Sequence, residues 1–203
     1  MLDLRPVFFN VGLLLAALSV AMLVPALLEL ADGQDDWLVF MLSALLTLFF
    51  AVSMILATGM AAEKSLRVRQ AFLMTTLSWV LLAAFAALPF AFSRAALSPV
   101  DAYFEAMSGL TTTGATVLSG LETMPRGLLL WRAMLQWFGG VGIIVVGLAI
   151  LPFLQVGGMQ LFRAESSEKL EKVLPRAAQV ASATMTIYLV FTLSCIAAYW
   201  AAG

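Results

Sequence analysis

The sequence predicts an all-α polytopic membrane protein, and three observations support this fold class. Hydrophobic residues make up 63% of the 203 residues, above the roughly 45–50% of a soluble domain, and the mean hydropathy is +1.01. Only 11% of the residues are charged. Apolar stretches long enough to cross a hydrocarbon core of about 30 Å as helices recur along the chain. They cover residues 6–30, 37–60, 70–92, 128–154 and 177–200.

The composition also argues against several functions. The chain has no histidine, the commonest metal ligand and general base. No carboxylate lies in the middle of a predicted span, so neither a catalytic cluster nor a proton relay is visible. The single cysteine, Cys195, lies in an apolar run and is predicted to be a buried thiol. A net charge of −1 gives no indication of nucleic-acid binding. We therefore expect neither an enzyme nor a cofactor.

The first two spans are joined by an acidic turn around Gly33. The first apolar run is longer than the 7–15 residues of a signal peptide core and follows a weakly basic start, so a span is predicted instead. Glu29, Asp32, Asp35 and Asp36 either concentrate cations near a pore mouth or form a solvated loop. Trp37 opens the second span at the predicted interface.

After the third span, Ser98-Pro99-Val100-Asp101 predicts a helix start. Ser98 is the expected N-cap, Pro99 the first helical residue and Asp101 the partner of the cap. This helix can run only to about Leu110, roughly 18 Å, which is too short to cross a membrane. We predict a re-entrant helix, with Glu105 on it either hydrogen-bonded or facing water.

The uncharged, threonine-rich loop at 108–117 follows that helix. Irregular backbone at membrane depth is tolerated only where it lines a watery cavity or is buried in protein. Its carbonyl oxygens can replace the water shell of a monovalent cation, and the C-terminal end of the helix also favours a cation. Gly114 suits the tightest point of such a loop. An ordinary connection outside the membrane is the alternative.

The second half of the chain contains two further predicted spans. Trp131 and Trp137 are expected to anchor the fourth span at the interface, and Gly139 and its neighbouring glycines to allow close helix packing. A charged surface helix within 155–176 is expected to end at Pro175, ahead of the fifth span.

The positive-inside rule predicts the orientation. With the N-terminus in the cytoplasm, eight of the eleven Lys and Arg residues are cytoplasmic and three are outside. Both ends of the threonine loop are then outside, so the short helix enters from there. The three outer residues are Arg94, Arg126 and Arg132, and the cytoplasmic ones are Arg5, Lys64, Arg67, Arg69, Arg163, Lys169, Lys172 and Arg176.

Three motifs give the chain a family resemblance. TTTGAT at 111–116, WRAMLQWFGGVGIIV at 131–145 and GGMQLFRAE at 157–165 resemble the first pore repeat of bacterial TrkH/TrkG-type potassium uptake transporters, of the Trk/Ktr/HKT superfamily. The family carries four such repeats in a much longer chain. The likeness therefore concerns its N-terminal portion only.

The resemblance implies a domain layout and a filter. Residues 1–62 would be an accessory hairpin, 63–154 the first M1–P-loop–M2 repeat, 155–176 a cytoplasmic linker and 177–203 the first helix of a second, incomplete repeat. K⁺, the transported ion, would be selected by backbone carbonyls, without a side-chain metal site, and serine at the place of Gly114 tends to accompany sodium transport in relatives. The filter residues would be Thr112, Thr113, Gly114 and Ala115, flanked by Thr111 and Thr116, with Ser98 and Asp101 capping the pore helix.

The resemblance also implies partners and a location. Complete subunits would form homodimers in the bacterial inner membrane, contact lipid and bind a cytoplasmic nucleotide-binding regulatory subunit, and transport would follow a channel-like path or symport. No nucleic acid is implied. A membrane scaffold or a non-conducting, truncated transporter fragment is the alternative function.

Overall fold

The computed structural model describes residues 3–59, 68–150 and 170–202, and this part of the chain is all-helical. It falls into two compact units, Met1–Gly140 and Val141–Gly203. A short 3₁₀ turn, Leu121–Thr123, precedes α6. The helices are α1 (Arg5–Ala31), α2 (Trp37–Thr58), α3 (Val68–Ala86), α4 (Leu88–Phe92), α5 (Pro99–Leu110), α6 (Arg126–Ile150) and α7 (Leu170–Ala202).

Four stretches among the described residues are long and apolar enough to cross a membrane. They are Arg5–Ala31, Trp37–Thr58, Arg69–Phe92 and Ser182–Ala202, and they correspond to the first, second, third and fifth predicted spans. Helix α6 covers most of the predicted fourth span, whose last residues lie outside the described part. The count of five spans stays a prediction.

Helices α1 and α2 pack side by side in the first unit. Val11, Leu15 and Met22 are fully buried between elements. The Ser19 hydroxyl donates a hydrogen bond of 2.9 Å to the Ala44 carbonyl. A Cβ at Gly12 would lie 2.9 Å from Ile55 Cγ1. The small residue therefore allows the close approach of the two helices, as is common in membranes.

The interface role predicted for Trp131 is wrong, because this side chain lies in the core. Trp131 is fully buried, and its indole N–H donates to the Ala86 carbonyl at 3.0 Å. Its ring meets Phe40 edge-on, with centroids 6.3 Å apart. A buried indole needs such a partner for its N–H, and here the partner comes from the end of α3. Trp137 is half-buried and packs against Phe138.

Two predictions about the C-terminal part are also wrong. Helix α7 runs through Pro175 without ending there. Pro175 lies within the described part of this helix, where its missing N–H removes one intrahelical bond, and an apolar run continues beyond it. Cys195 is exposed instead of buried. Its neighbours on α7, such as Tyr199 and Trp200, are more than 80% exposed as well.

Candidate functional site: the threonine loop

Helix α5 begins at a well-defined cap. The Ser98 hydroxyl oxygen accepts from the backbone N–H of Asp101 at 3.2 Å and donates to Asp101 Oδ2 at 2.7 Å. Pro99 is the first helical residue, where its lack of an N–H costs nothing. The helix is 12 residues long, which is about 18 Å. Its length therefore places its C-terminal end within the thickness of a bilayer if its start lies at the outer surface.

The C-terminal end of α5 is closed by a Schellman motif, in which two N–H groups past the helix bond back to its last turn. The N–H of Thr112 donates to the Gly109 carbonyl at 2.9 Å, and that of Thr113 donates to the Ser108 carbonyl at 3.0 Å. Thr112 has a φ of +56°, where glycine is usual. A β-branched residue in this conformation is strained, so the surrounding contacts must hold it there.

Side chains of the loop brace this turn. The Thr111 hydroxyl donates to the Met107 carbonyl at 2.8 Å and lies 2.8 Å from the Thr113 hydroxyl. Gly114 follows with a φ of +78°, and no atom lies within 4 Å of the position that a Cβ would occupy. Residues 112–117 are exposed. The loop thus presents irregular backbone to open space, in a fixed conformation.

Two of the predicted filter carbonyls accept hydrogen bonds from protein groups. The Ser108 hydroxyl donates to the Ala115 carbonyl at 2.6 Å. Arg132 Nη2 donates to the Gly114 carbonyl at 3.1 Å. A carbonyl oxygen has two lone pairs, so each of these bonds fixes the direction of the oxygen and leaves one lone pair for a further partner.

The carboxylate of Glu105, on α5, accepts three hydrogen bonds next to the loop. The residue is fully buried, and its Oε2 accepts from the Thr116 hydroxyl and from the Val117 N–H, each at 3.0 Å. Its Oε1 accepts from Arg132 Nε at 2.5 Å. Of the two roles predicted for Glu105, the hydrogen-bonded one is therefore confirmed.

Sequence reasoning missed Arg132 as a residue of this site and counted it only as an outer charge. The available signal was its position inside an apolar stretch after Trp131, where an arginine is costly unless it is paired. Its side chain is only 19% exposed. The partner, Glu105, lies 27 residues earlier, and no local pattern connects the two.

Helices α5 and α6 approach each other closely at two glycines. A Cβ at Gly139 would overlap the carbonyl oxygen of Leu110, the last residue of α5, and one at Gly109 would lie 3.1 Å from Leu135 Cβ. At Gly139 the backbones of the two helices therefore meet directly, where α5 ends. This is the packing role predicted for Gly139.

The acidic turn between α1 and α2 is tied to the segments that flank the site. Glu29 is fully buried, and its carboxylate accepts from the Gly127 N–H at the start of α6. Asp36 is 5% exposed and accepts from the Arg94 N–H at 3.3 Å. Asp35 pairs with the Arg94 guanidinium at 3.1 Å. A solvated loop is therefore the wrong description for Glu29 and Asp36.

An open groove of about 700 Å³ lies beside this turn and next to the loop. Its walls come from the acidic turn, from the segment before α5 and from the return between the loop and α6. Charged and polar groups, among them Asp32, Arg94 and Arg126, line part of it.

The groups that this loop exposes are backbone atoms and threonine hydroxyls. Among the described residues, no group of three or more His, Cys, Asp or Glu side chains could hold a metal ion. Carbonyl oxygens and threonine hydroxyls suit weakly bound monovalent cations, whose water shell they can replace. One loop provides only part of such a shell.

Comparisons with known proteins indicate which family the chain resembles. The family model of the TrkH cation transport proteins matches residues 39–202. The chain is 43% identical over 198 residues to the Trk system potassium uptake protein TrkI of Halomonas elongata, covering 98% of this chain and 40% of that protein. It is also 43% identical over 196 residues to the Trk system potassium uptake protein TrkH of Escherichia coli K12, covering 95% of this chain and 40% of that protein.

A solved structure is similar as well. The crystal structure of the potassium transporter TrkH from Vibrio parahaemolyticus matches with a TM-score of 0.84 and 37% sequence identity, over 100% of this chain and 40% of that one. The chain thus spans about 40% of the length of the relatives that it matches.

Proposed function

Because this chain belongs to the TrkH family of cation transport proteins, we propose that it is a pore-forming segment of a potassium uptake transporter. The observation that carries the proposal is the threonine loop, which exposes fixed, irregular backbone at the end of a 12-residue helix. In this proposal the backbone oxygens of Thr112, Thr113, Gly114 and Ala115 coordinate K⁺. Thr111 and Thr116 flank them and brace the loop.

The proposal includes the layout of the chain. Residues 1–62 form an accessory hairpin, 63–154 the first pore repeat, 155–176 a cytoplasmic linker, and 177–203 the first helix of a second repeat. The protein lies in the bacterial inner membrane with its N-terminus in the cytoplasm, since eight of eleven basic residues are then cytoplasmic. A homodimer of complete subunits and a nucleotide-binding regulatory subunit are the partners that the family resemblance adds.

The alternative is a membrane scaffold or a non-conducting fragment of a transporter. The two functions differ in whether the threonine loop must keep its backbone geometry for potassium to cross the membrane.

A chimera tests the proposal. This segment replaces the matching part of TrkH from Escherichia coli K12, and the chimera is expressed in a strain that lacks its own potassium uptake. We expect growth at low potassium, and loss of that growth with Gly114→Val, because valine disfavours the φ of +78°. Gly33→Val is the matched control, since Gly33 also has a positive φ and lies in the α1–α2 turn. Normal uptake with Gly114→Val would favour the scaffold.

A further inference from the structure

Glu105 and Arg132 form one buried unit that contacts the threonine loop at three places, through Gly114, Thr116 and Val117. We propose that these two residues, here called the Glu105–Arg132 clamp, are positioning residues that set the ion preference of the loop by fixing the direction of the Gly114 carbonyl. The inference rests on the proposed function of the loop as part of a potassium filter.

The first step of the argument is the burial of the pair. Glu105 is completely buried and the Arg132 side chain is 19% exposed, and their closest atoms are 2.5 Å apart. Taking two charges out of water is costly, and the attraction between them offsets this only with good geometry and further hydrogen bonds. Glu105 has two such bonds, from Thr116 and Val117. Removal of either charge therefore leaves the other uncompensated.

The second step is the shape of the arginine side chain. Arg132 uses Nε for Glu105 and Nη2 for the Gly114 carbonyl, two donors of one planar group. A lysine ammonium is a point charge on a flexible stem and does not present this rigid fork. The guanidinium thus connects Glu105, which is fixed on α5, to the loop backbone, and this connection fixes the position of the Gly114 carbonyl.

The third step concerns the ion. A carbonyl oxygen that already accepts a hydrogen bond from a guanidinium points in one direction and is less free to turn toward a smaller cation. The positive charge of Arg132 so close to the loop would also repel a bound cation, and the carboxylate of Glu105 balances it. The clamp therefore holds the Gly114 oxygen in one position, and its two opposite charges cancel beside the loop. Both properties affect which monovalent cation the loop prefers.

A first experiment uses the chain as it is. Amide hydrogen exchange of residues 111–118 is measured in detergent for the unchanged chain, Glu105→Gln, Arg132→Gln and the control Arg94→Gln. We expect roughly tenfold faster exchange in the two clamp variants, as for the loss of one hydrogen bond to a charged group. The control removes an exposed arginine paired with Asp35 and should leave this segment unchanged. Equal exchange in all four proteins would overturn the clamp.

A second experiment measures ion preference in the chimera described above. We expect Glu105→Gln, Arg132→Gln and Arg132→Lys each to lower the preference for K⁺ over Na⁺ several-fold, with Arg94→Gln unchanged. The double variant Glu105→Gln/Arg132→Gln should lose no more than the worse single variant, because the residues act as one unit. Unaltered preference in the single variants, or losses that multiply in the double variant, would overturn the proposal.

The two experiments separate the clamp from the proposed function. A chimera that fails to transport potassium counts against the pore function, while the exchange rates still report whether Glu105 and Arg132 hold the loop. Faster exchange with unaltered ion preference would leave the pair a structural role and refute its role in selection.

Discussion

At the scale of single residues, the threonine loop is held in conformations that its sequence would not adopt alone. Thr112 has a φ of +56°, and the left-handed region costs an L-residue about 1–2 kcal/mol. The backbone bonds of the Schellman motif and the hydroxyl contacts of Thr111 and Thr113 offset that cost. Gly114, at +78°, needs no such support.

A serine at Gly114 tests the filter at this scale. The open space around the position accommodates the side chain, so folding should be largely kept, while the positive φ is disfavoured for serine by about 1–2 kcal/mol. We expect the Gly114→Ser chimera to lose several-fold in preference for K⁺ over Na⁺ in uptake assays with both ions. The family resemblance points the same way, since relatives with serine at the matching place tend toward sodium.

The control for this variant is Gly33→Ser. Gly33 has a φ of +67° and equally open surroundings, but it lies in the acidic turn, so it carries the same backbone strain without touching the loop. Unchanged selectivity in Gly114→Ser, or an equal change in Gly33→Ser, would argue against a filter role for Gly114.

At the scale of elements, local sequence signals predicted the short helix α5 but not its contacts. Ser98-Pro99 and the apolar spacing predicted α5 with its start and its end, because caps and helix length depend on neighbouring residues. The pairs Glu105–Arg132 and Glu29–Gly127 join residues 27 and 98 positions apart. Such contacts are set by tertiary packing, and one sequence contains no local pattern that predicts them.

Tertiary packing also explains why Trp131 lies in the core and not at the membrane interface. A tryptophan near the end of an apolar stretch commonly lies at the membrane interface. Here α3 ends at Ala86, and the carbonyl of Ala86 is free to accept the indole N–H inside the first unit. The side chain is therefore used for packing between elements.

The contact between α5 and α6 leads to a prediction about Gly139. Alanine there would place a methyl group on the Leu110 carbonyl, which is backbone and can move only with the end of α5. We expect Gly139→Ala to destabilise the purified chain by about 1–3 kcal/mol, the range for overpacking, seen as a lower melting temperature in detergent. Ala133→Ser, which adds one atom at an exposed position of α6, is the control. Equal melting temperatures for Gly139→Ala and the unchanged chain would contradict this packing.

At the scale of the whole molecule, orientation is predicted from charge alone. With eight of eleven basic residues inside, position 33 should face the outside and position 66 the cytoplasm. Single cysteines, Gly33→Cys and Leu66→Cys in a Cys195→Ser background, are to be treated in intact cells with a membrane-impermeant thiol reagent. We expect labelling at position 33 only. Labelling at 66 and not at 33 would reverse the orientation and, with it, the direction from which α5 enters.

The last prediction concerns conduction by this chain alone. The 203 residues contain one threonine loop, whereas a pore of this kind replaces the water shell of an ion with about four converging backbones. A single copy therefore cannot form a complete filter. Four copies around one axis would also have to accommodate α1, α2 and α7 in each subunit, which crowds the assembly.

The test is a potassium gradient across liposomes that contain the purified chain. We expect no selective flux from this chain, and flux from the chimera with the remaining length of TrkH. Selective potassium flux from the 203-residue chain would instead indicate a homotetramer and refute the view that one copy supplies one quarter of a pore.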